Sequence, residues 1–400
     1  MIPVAKALKI IGRETPVLGR EQIRIEDAVG RILAEDIVAD TDMPPFDRSQ
    51  MDGYALRAED VSQIPATLKL VGESAAGQSW KGRLTKGEAI RIMTGARVPT
   101  GADAVQKLEV AKEKSDHVTI HEAVSFGKFI VSRATEVQKG SIVLKKGEIL
   151  TANSIAVPAA FGYSLVRVAK RPRVAILATG SEIVDVNKKP KADQIRNSNS
   201  IMLAAMCRKA GADVIIMPIV GDDITELKTQ IESAVKTSDL LVMTGGVSVG
   251  KYDFTKAALK ELGTNIFFES VQLKPGKPTV FAKLKKTLVF GLPGNPVSAA
   301  VTFYLFLRKT ILTMQGANLS DAAISFATAM TDIKGTKERD AYLPGQICFG
   351  FNTDSTIGVA PIKWHGSSDF IGFADANALI IVPKGTNVSL GEIVRIIDIR

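Results

Sequence analysis

The sequence predicts a multidomain α/β protein whose central domain is a doubly wound parallel sheet. Its 400 residues exceed what a single hydrophobic core usually holds. Between residues 171 and 317, apolar strand patterns alternate with amphipathic helix patterns, which is typical of parallel α/β domains. On both sides of this region, short runs of alternating apolar and polar residues lie between glycines and prolines, which indicates β domains.

Four domains follow from these patterns. Residues 1–45 and 140–170 carry helix-compatible sequence, and we expect them to pair into one helical, discontinuous domain. Residues 46–139 are predicted to form a β-rich insert domain. Residues 171–317 form the predicted α/β domain, and residues 318–400 a C-terminal β-barrel domain.

Composition and charge argue against several classes of protein and of binding site. The net charge of +9 mildly favours anionic partners. The two cysteines are far apart, and the three histidines form no HExxH motif, which argues against a disulfide framework and a Cys- or His-based metal site. The N-terminus has no apolar signal region. We therefore expect a cytoplasmic protein with no membrane or nucleic-acid partner.

Each predicted strand of the α/β domain ends in a polar or glycine-rich loop. Ligands of open α/β sheets bind beyond the carboxyl ends of the strands, so we expect these loops to converge on one site. A glycine-rich turn followed by a helix suits an anion, because backbone N–H groups and the helix dipole point towards it. The four loops are Thr179-Gly-Ser-Glu182, Gly221-Asp-Asp223, Thr244-Gly-Gly-Val-Ser-Val-Gly250 and Gly291-Leu-Pro-Gly-Asn-Pro296.

The acids near these loops have structural as well as functional interpretations. Asp223 and Glu226 have the spacing of a capping box, so Asp223 is predicted to cap a helix and Asp222 to be the freer acid. Asp253 fits either a helix cap or a ligand-binding acid. Glu182 by itself would be an exposed loop acid. Several acids beside a phosphate-binding loop favour a Mg²⁺ site.

Two familiar nucleotide-binding motifs are excluded. Val247 stands where a dinucleotide fingerprint requires glycine, and Tyr252 stands where a P-loop requires serine or threonine. Lys274 and Lys277 lie on a proline-rich loop, where they suit an oxyanion. Pro296 is well placed in the first turn of a long apolar helix.

Six motifs in order resemble the molybdopterin molybdenumtransferase (MoeA) family, which includes the E domain of gephyrin. The resemblance covers nearly the whole chain. The motifs are Met51-Asp-Gly-Tyr-Ala55, Met93-Thr-Gly-Ala96, Thr179-Gly-Ser-Glu182, Thr244-Gly-Gly-Val-Ser-Val-Gly250, Lys274-Pro-Gly-Lys-Pro278 and Gly291-Leu-Pro-Gly-Asn-Pro-Val-Ser298.

The resemblance implies an elongated homodimer whose central domain is like molybdopterin adenylyltransferase. It implies a reaction in which molybdate and adenylated molybdopterin give molybdenum cofactor and AMP with Mg²⁺. The site would be a cleft shared between the α/β domain of one subunit and the β insert of the other. Molybdopterin adenylyltransferase and molybdoenzyme apoproteins are the further partners that it suggests.

The resemblance also implies roles for individual residues. Asp222, Asp253 and Glu182 would be catalytic acids and metal ligands, Lys274 a basic contact, and Asp52 and Thr94 contributions from the partner subunit. The predicted substrate-binding residues are Thr179, Gly180, Ser181, Gly245, Gly246, Val247, Ser248, Gly250, Lys277, Pro293, Gly294, Asn295 and Pro296.

The chain departs from the family pattern at several positions. Gln50 replaces an alanine, and Ser270 lies where a basic residue is frequent. In the segment that the family writes Asn-Ile-Arg-x-x-Gly-Glu-Asp, this chain has Phe129-Ile-Val-Ser-Arg-Ala-Thr-Glu136. The segment thus loses the Arg and, at Ala134, the Gly, and Glu136 stands where the family has Asp. These changes leave open a divergent paralogue with weakened activity or altered metal choice. The alternatives to the proposed reaction are therefore a weak or inactive cofactor-binding scaffold and insertion of tungstate, and transfer of the adenylyl group itself is a separate third hypothesis.

Overall fold

The computed structural model describes residues 1–246, 254–349 and 357–400, and the chain divides into two compact units. The first unit comprises Met1–Glu35, Lys146–Thr151 and Leu165–Arg400. The second comprises Asp36–Lys145 and Ala152–Ser164. The division into four domains stays a prediction.

The first unit is built around a sheet that has six strands within the described residues. The order of the strands is β2-β1-β3-β6-β5-β4. β1, β2, β3 and β6 pair in parallel, whereas β5 pairs antiparallel with β6 and β4, as the hairpin-like sequence of β5 and β6 predicts. The strands are β1 Arg173–Ala178, β2 Asp213–Ile216, β3 Leu240–Thr244, β4 Asn265–Phe268, β5 Val280–Leu284 and β6 Thr287–Leu292.

Helices cover both faces of this sheet. Val174 and Ile176 of β1 belong to a core with the helices Val4–Glu14, Ser198–Lys209 and Pro296–Met314. Ala175 and Leu177 point to the other face, where they join the core of the helices Ile224–Thr237 and Phe254–Glu261. Burial on both faces explains why the parallel strands are continuous apolar runs rather than alternating ones.

The predicted long apolar helix is present and contains a π-helical segment. It consists of Pro296–Thr302, the π-helical residues Phe303–Leu307, and Arg308–Met314. Its length and apolarity would suffice to cross a membrane, but 78% of its apolar window is buried inside the protein. It is therefore a core helix of the first unit.

The C-terminal region forms a closed barrel, as predicted. Its strands follow the order β8-β9-β7-β11-β10, and β10 pairs again with β8. β8 was not foreseen, because Pro344 and Gly345 interrupt its strand pattern. The strand Leu273–Lys274 extends this sheet beyond β8, with Lys274 opposite Ala341. The barrel strands are β7 Ile324–Ala329, β8 Asp340–Phe349, β9 Ile357–Pro361, β10 Ala378–Val382 and β11 Ile393–Asp398.

The segments predicted to be helical contain strands as well as helices. Their α-helices are Val4–Glu14 and Ala156–Ala160, with a short 3₁₀ turn at Ile25–Asp27. Arg20–Arg24 instead pairs antiparallel with Leu165–Ala169. The reason is the sequence Leu-Val-Arg-Val-Ala, in which the buried β-branched residues Val166 and Val168 alternate with the exposed Leu165 and Arg167.

The second unit contains a six-stranded sheet within its described residues, in the region predicted to be β-rich. Its buried residues, among them Tyr54, Leu56 and Ile90, form the cores of this unit. Short strand pairs join Arg48–Ser49 to Ile130–Val131 and Ile37–Val38 to Ile142–Leu144. In sheet order, the main strands are Ala104–Lys107, Gly53–Leu56, Glu88–Ile92, Ala66–Ser74, His117–Ile120 and Ala111–Lys114.

Candidate functional site

The candidate site of the first unit lies at the carboxyl ends of β1 and β3. The chain passes from β1 to β2 on one side, whereas β3 lies on the other side of β1, so a crevice opens between their ends. Backbone hydrogen bonds join the loops here: Thr179 N–H donates to Thr244 O, and Gly180 N–H donates to Val220 O, both at 3.0 Å. Three of the predicted loops therefore meet at one edge.

Glycines allow the loops after β1, β3 and β6 to approach one another. Gly245 has φ +92°, and a Cβ there would lie 2.3 Å from the carbonyl oxygen of Thr179. Gly246 has φ +62°, and its Cβ would lie 2.6 Å from Thr255 Oγ1. A Cβ on Gly294 would lie 3.7 Å from Gly245 Cα, so the loop after β6 also packs against this point. Any larger residue at Gly245 or Gly246 would push the loops apart.

Asn199 is a member of this cluster that the sequence did not reveal. Its Nδ2 donates to Gly294 O at 2.7 Å and to Thr244 Oγ1 at 3.0 Å, and so links the ends of β3 and β6. Its Oδ1 is buried and has no hydrogen-bond partner in the described part of the chain. The available signal was the polar run Asn197-Ser-Asn-Ser200, in which Asn197 caps the helix Ser198–Lys209.

The acids separate into a cap and two exposed carboxylates. Asp223 Oδ1 accepts hydrogen bonds from the N–H groups of Thr225, at 2.7 Å, and Glu226, at 3.1 Å, which confirms the predicted helix cap. Asp222 is exposed, and its N–H donates to Ser181 Oγ at 3.1 Å. Glu182 is also exposed, with its carboxylate beside Gly180. Neither Asp222 nor Glu182 forms an ion pair with a described residue.

The predicted Mg²⁺ ligands are only partly visible. Asp253 lies outside the described residues, as do Val247, Ser248 and Gly250. Among the residues that are described, no three acidic, histidine or cysteine side chains are grouped to hold a metal ion. Asp222, Glu182 and the Ser181 hydroxyl are nevertheless oxygen donors of the kind that Mg²⁺ binds, so the donor set at this edge fits that ion.

The remaining predicted residues lie on two loops of the first unit. Lys274 and Lys277 are exposed on a loop that packs against the long helix, because a Cβ on Gly276 would lie 2.8 Å from Thr302 Cγ2. Pro296 occupies the first turn of that helix, as predicted.

A residue of the C-terminal region holds the start of the long helix. Asn295 Nδ2 donates to Ser367 Oγ at 2.8 Å, and Val297 N–H donates to Ser367 O at 3.1 Å. Pro293 and Gly294 immediately precede this contact. Ser367 was also missed, because it is distant in sequence and has no motif around it.

The second unit brings Asp52 and Thr94 together. Asp52 Oδ1 accepts hydrogen bonds from Thr94 N–H at 2.6 Å and from Thr94 Oγ1 at 2.9 Å. These bonds, the backbone one first, lower the pKa of the Asp52 carboxyl below its ordinary value. The dipeptide Asp52-Gly53 is typical of a tight turn with positive φ at the glycine, but the structure has no such turn here. Gly53 begins a strand, and it must be glycine because a Cβ would lie 1.9 Å from Gln106 O.

Three family models match successive parts of the chain. They are the MoeA N-terminal region (domain I and II) at residues 2–162, a probable molybdopterin binding domain at residues 175–313, and the MoeA C-terminal region (domain IV) at residues 327–399. A molybdopterin molybdenumtransferase of Staphylococcus aureus (strain COL) is 34% identical over 96% of this chain and 92% of its own length. The chain belongs to the MoeA family.

Further relatives agree with this membership. A molybdopterin molybdenumtransferase of Staphylococcus epidermidis is 33% identical over 99% of this chain and 95% of its own length. The crystal structure of the molybdopterin biosynthesis moeA protein from Pyrococcus horikoshii OT3 superposes with a TM-score of 0.85, at 31% identity, and each chain is covered completely. The fold class predicted from the sequence is thus confirmed, and the scaffold alternative is not favoured.

Two departures from the MoeA pattern coincide with unusual backbone. Phe129 has φ +58° and Ala134 has φ +62°. The family pattern has Asn and Gly at these two positions, and these residue types tolerate left-handed backbone best. Glu136, a third departure, pairs with Arg48 at 3.0 Å, and the N–H of Gln50 donates to Phe129 O at 2.9 Å.

Proposed function

We propose that the protein inserts molybdate into adenylated molybdopterin, with Mg²⁺-dependent release of AMP. Family membership gives the general activity: the chain is a MoeA-family molybdopterin molybdenumtransferase, a transferase of molybdenum cofactor biosynthesis. The observation that supports this specific reaction is the meeting of glycine loops and exposed acids at the ends of β1 and β3.

The glycine loops suit the phosphates of the substrate. Gly245, Gly246 and Gly294 let backbone approach a phosphoanhydride closely, and the positive end of the helix dipole at the start of Pro296–Met314 favours an anion there. Lys274 supplies a point charge for an oxyanion. In this proposal Gly180, Ser181, Lys277, Pro293, Asn295 and Pro296 also shape the substrate site, as do Thr179, Val247, Ser248 and Gly250.

The exposed acids suit a metal ion. Asp222, Glu182 and Asp253 would hold Mg²⁺, which would neutralise charge on the phosphoanhydride when bound. No side chain needs to act as a nucleophile, since the substrate brings its own sulfur ligands for molybdenum. Asp52 and Thr94 would complete the site from a second subunit, so we also propose a homodimer.

The cellular setting is part of the same proposal. The protein would act in the cytoplasm, receive its substrate from a molybdopterin adenylyltransferase, and deliver cofactor to molybdoenzyme apoproteins.

A turnover assay tests the proposed reaction. The protein is supplied with adenylated molybdopterin, Mg²⁺ and molybdate or tungstate, and cofactor and AMP are measured. We expect both products with molybdate and a large loss of turnover in Asp222→Asn. Asp223→Asn is the matched control, because asparagine keeps the Oδ1 acceptor that caps the helix, so both the melting temperature and turnover should stay near the wild-type values. Full turnover in Asp222→Asn would contradict the assignment of this acid, and ligand binding without turnover would contradict the reaction.

A further inference from the structure

A pocket next to the loop cluster has the lining of a site for a flat ring. It has a volume of about 350 Å³, within the range of small-ligand sites. Pro296 and Asn199 form its wall on the side of the loop cluster. Because Asn199 Nδ2 bonds to Gly294 O, this wall is continuous with the proposed phosphate site.

The other walls are aromatic and thioether side chains. They come from Met202, Met206, Tyr304, Phe370 and Phe373. Aromatic faces stack on heterocyclic rings, and methionine sulfur also packs favourably against them. Tyr304 belongs to the π-helical segment, a feature that frequently marks functional sites, and its hydroxyl donates to Ile399 O at 3.3 Å.

Asn199 adds a polar element to this wall. The Nδ2 donor must face the carbonyl of Gly294, which fixes the orientation of the amide and leaves Oδ1 as an acceptor. No described residue donates to that oxygen. This oxygen has almost no accessible surface, so Asn199 serves this wall by holding the loop after β6 in place through its Nδ2 bond to Gly294 O.

We propose that this pocket binds the amino-substituted nitrogen heterocycle of the phosphorylated substrate. The inference rests on the proposed function, whose substrate carries two such rings, a pterin and an adenine. Both offer a flat face and a ring amino group, and both are joined to phosphate. The phosphate lies at the glycine loops, and the ring stacks against Phe370.

Binding measurements with three phosphates test the proposal. The probes are AMP, a 6-hydroxymethylpterin phosphate and ribose 5-phosphate, which has no ring to stack, each titrated calorimetrically into the full-length protein. We expect at least one ring-bearing phosphate to bind roughly tenfold more tightly than ribose 5-phosphate. Preference for AMP assigns the pocket to the purine, and preference for the pterin phosphate assigns it to the pterin.

Phe370 and its neighbour provide matched variants. Phe370 is 50% exposed and Ile371 is 75% exposed, so neither substitution removes a buried core residue, and only Phe370 lines the pocket. Phe370→Ala should abolish the preference, whereas Phe370→Tyr and Ile371→Ala should retain it. Equal binding of the three probes to the wild-type protein, or a preference that survives in Phe370→Ala, would overturn the proposal.

These measurements test the proposed ring site independently of the proposed reaction. They use no molybdate and need no turnover. A protein that shows the ring preference but forms no cofactor contradicts only the proposed reaction. A protein that turns over normally and whose Phe370→Ala variant keeps the preference contradicts only the ring site.

Discussion

Replacing Gly245 by alanine tests whether close packing of the loops, in addition to backbone strain, makes glycine necessary at this position. The residue has φ +92°, and left-handed backbone costs a non-glycine residue ~1–2 kcal/mol. The new Cβ would also lie 2.3 Å from Thr179 O, whereas real Cβ atoms essentially never come within 3.0 Å. The loop must therefore move by about 0.7 Å, and misplacement on this scale in a catalytic site can lower the rate on the order of 10²-fold.

Gly263→Ala is the control for this experiment. Gly263 has φ +68°, so alanine meets similar backbone strain there, but a Cβ would have no atom within 4 Å. We expect both variants to lose stability, with the larger loss in Gly245→Ala, and only Gly245→Ala to lose turnover. The measurements are the free energy of unfolding in urea and kcat for cofactor formation. Equal stability and equal turnover of the two variants would refute the role of close packing.

Three further predictions concern other parts of the chain. Ala134→Gly should stabilise the protein by ~0.5–1 kcal/mol in urea unfolding, because relief of left-handed strain exceeds the entropic cost of glycine; destabilisation would contradict this. Burial raises the pKa of the Cys207 thiol to about 12, so a chromogenic thiol reagent should modify Cys348 in the native protein and Cys207 only after denaturation. Thr94→Val should raise the pKa of Asp52, followed by NMR, because one of its hydrogen bonds is lost. The lowered pKa stabilises the folded state above the unfolded-state pKa of Asp52, and this contribution is lost as the pH falls through the folded-state pKa. The loss should therefore be smaller in the variant and complete at a higher pH; an unchanged titration would contradict it.

The sequence predicted the parts of the fold that depend on local pattern. The parallel sheet follows from apolar runs such as β3, which is buried along its whole length. The cap at Asp223 and the position of Pro296 follow from residue types with one dominant local role. The convergence of the loops follows from the general topology of α/β sheets.

Features that depend on distant contacts were not predictable. β8 contains a proline and a glycine, and it forms because barrel strands on both sides supply its hydrogen bonds. Asn199 and Ser367 act through partners 95 and 72 residues away. The dipeptide Asp52-Gly53 is typical of a turn, but the carbonyl of Gln106, on a neighbouring strand, is what requires glycine at position 53.

Two hydrogen bonds that Ser367 accepts, and the pairing of Leu273–Lys274 with β8, tie the proposed phosphate site to the barrel region. The loops that would hold the substrate are thus stabilised by a region that contributes none of the site residues predicted from the sequence, although Phe370 and Phe373 of the proposed ring pocket belong to it. A chimaera that takes its barrel from one relative and its central sheet from another would disturb the contacts of Lys274 and of the start of the long helix. Natural recombination within this family should therefore keep the barrel and the central sheet together.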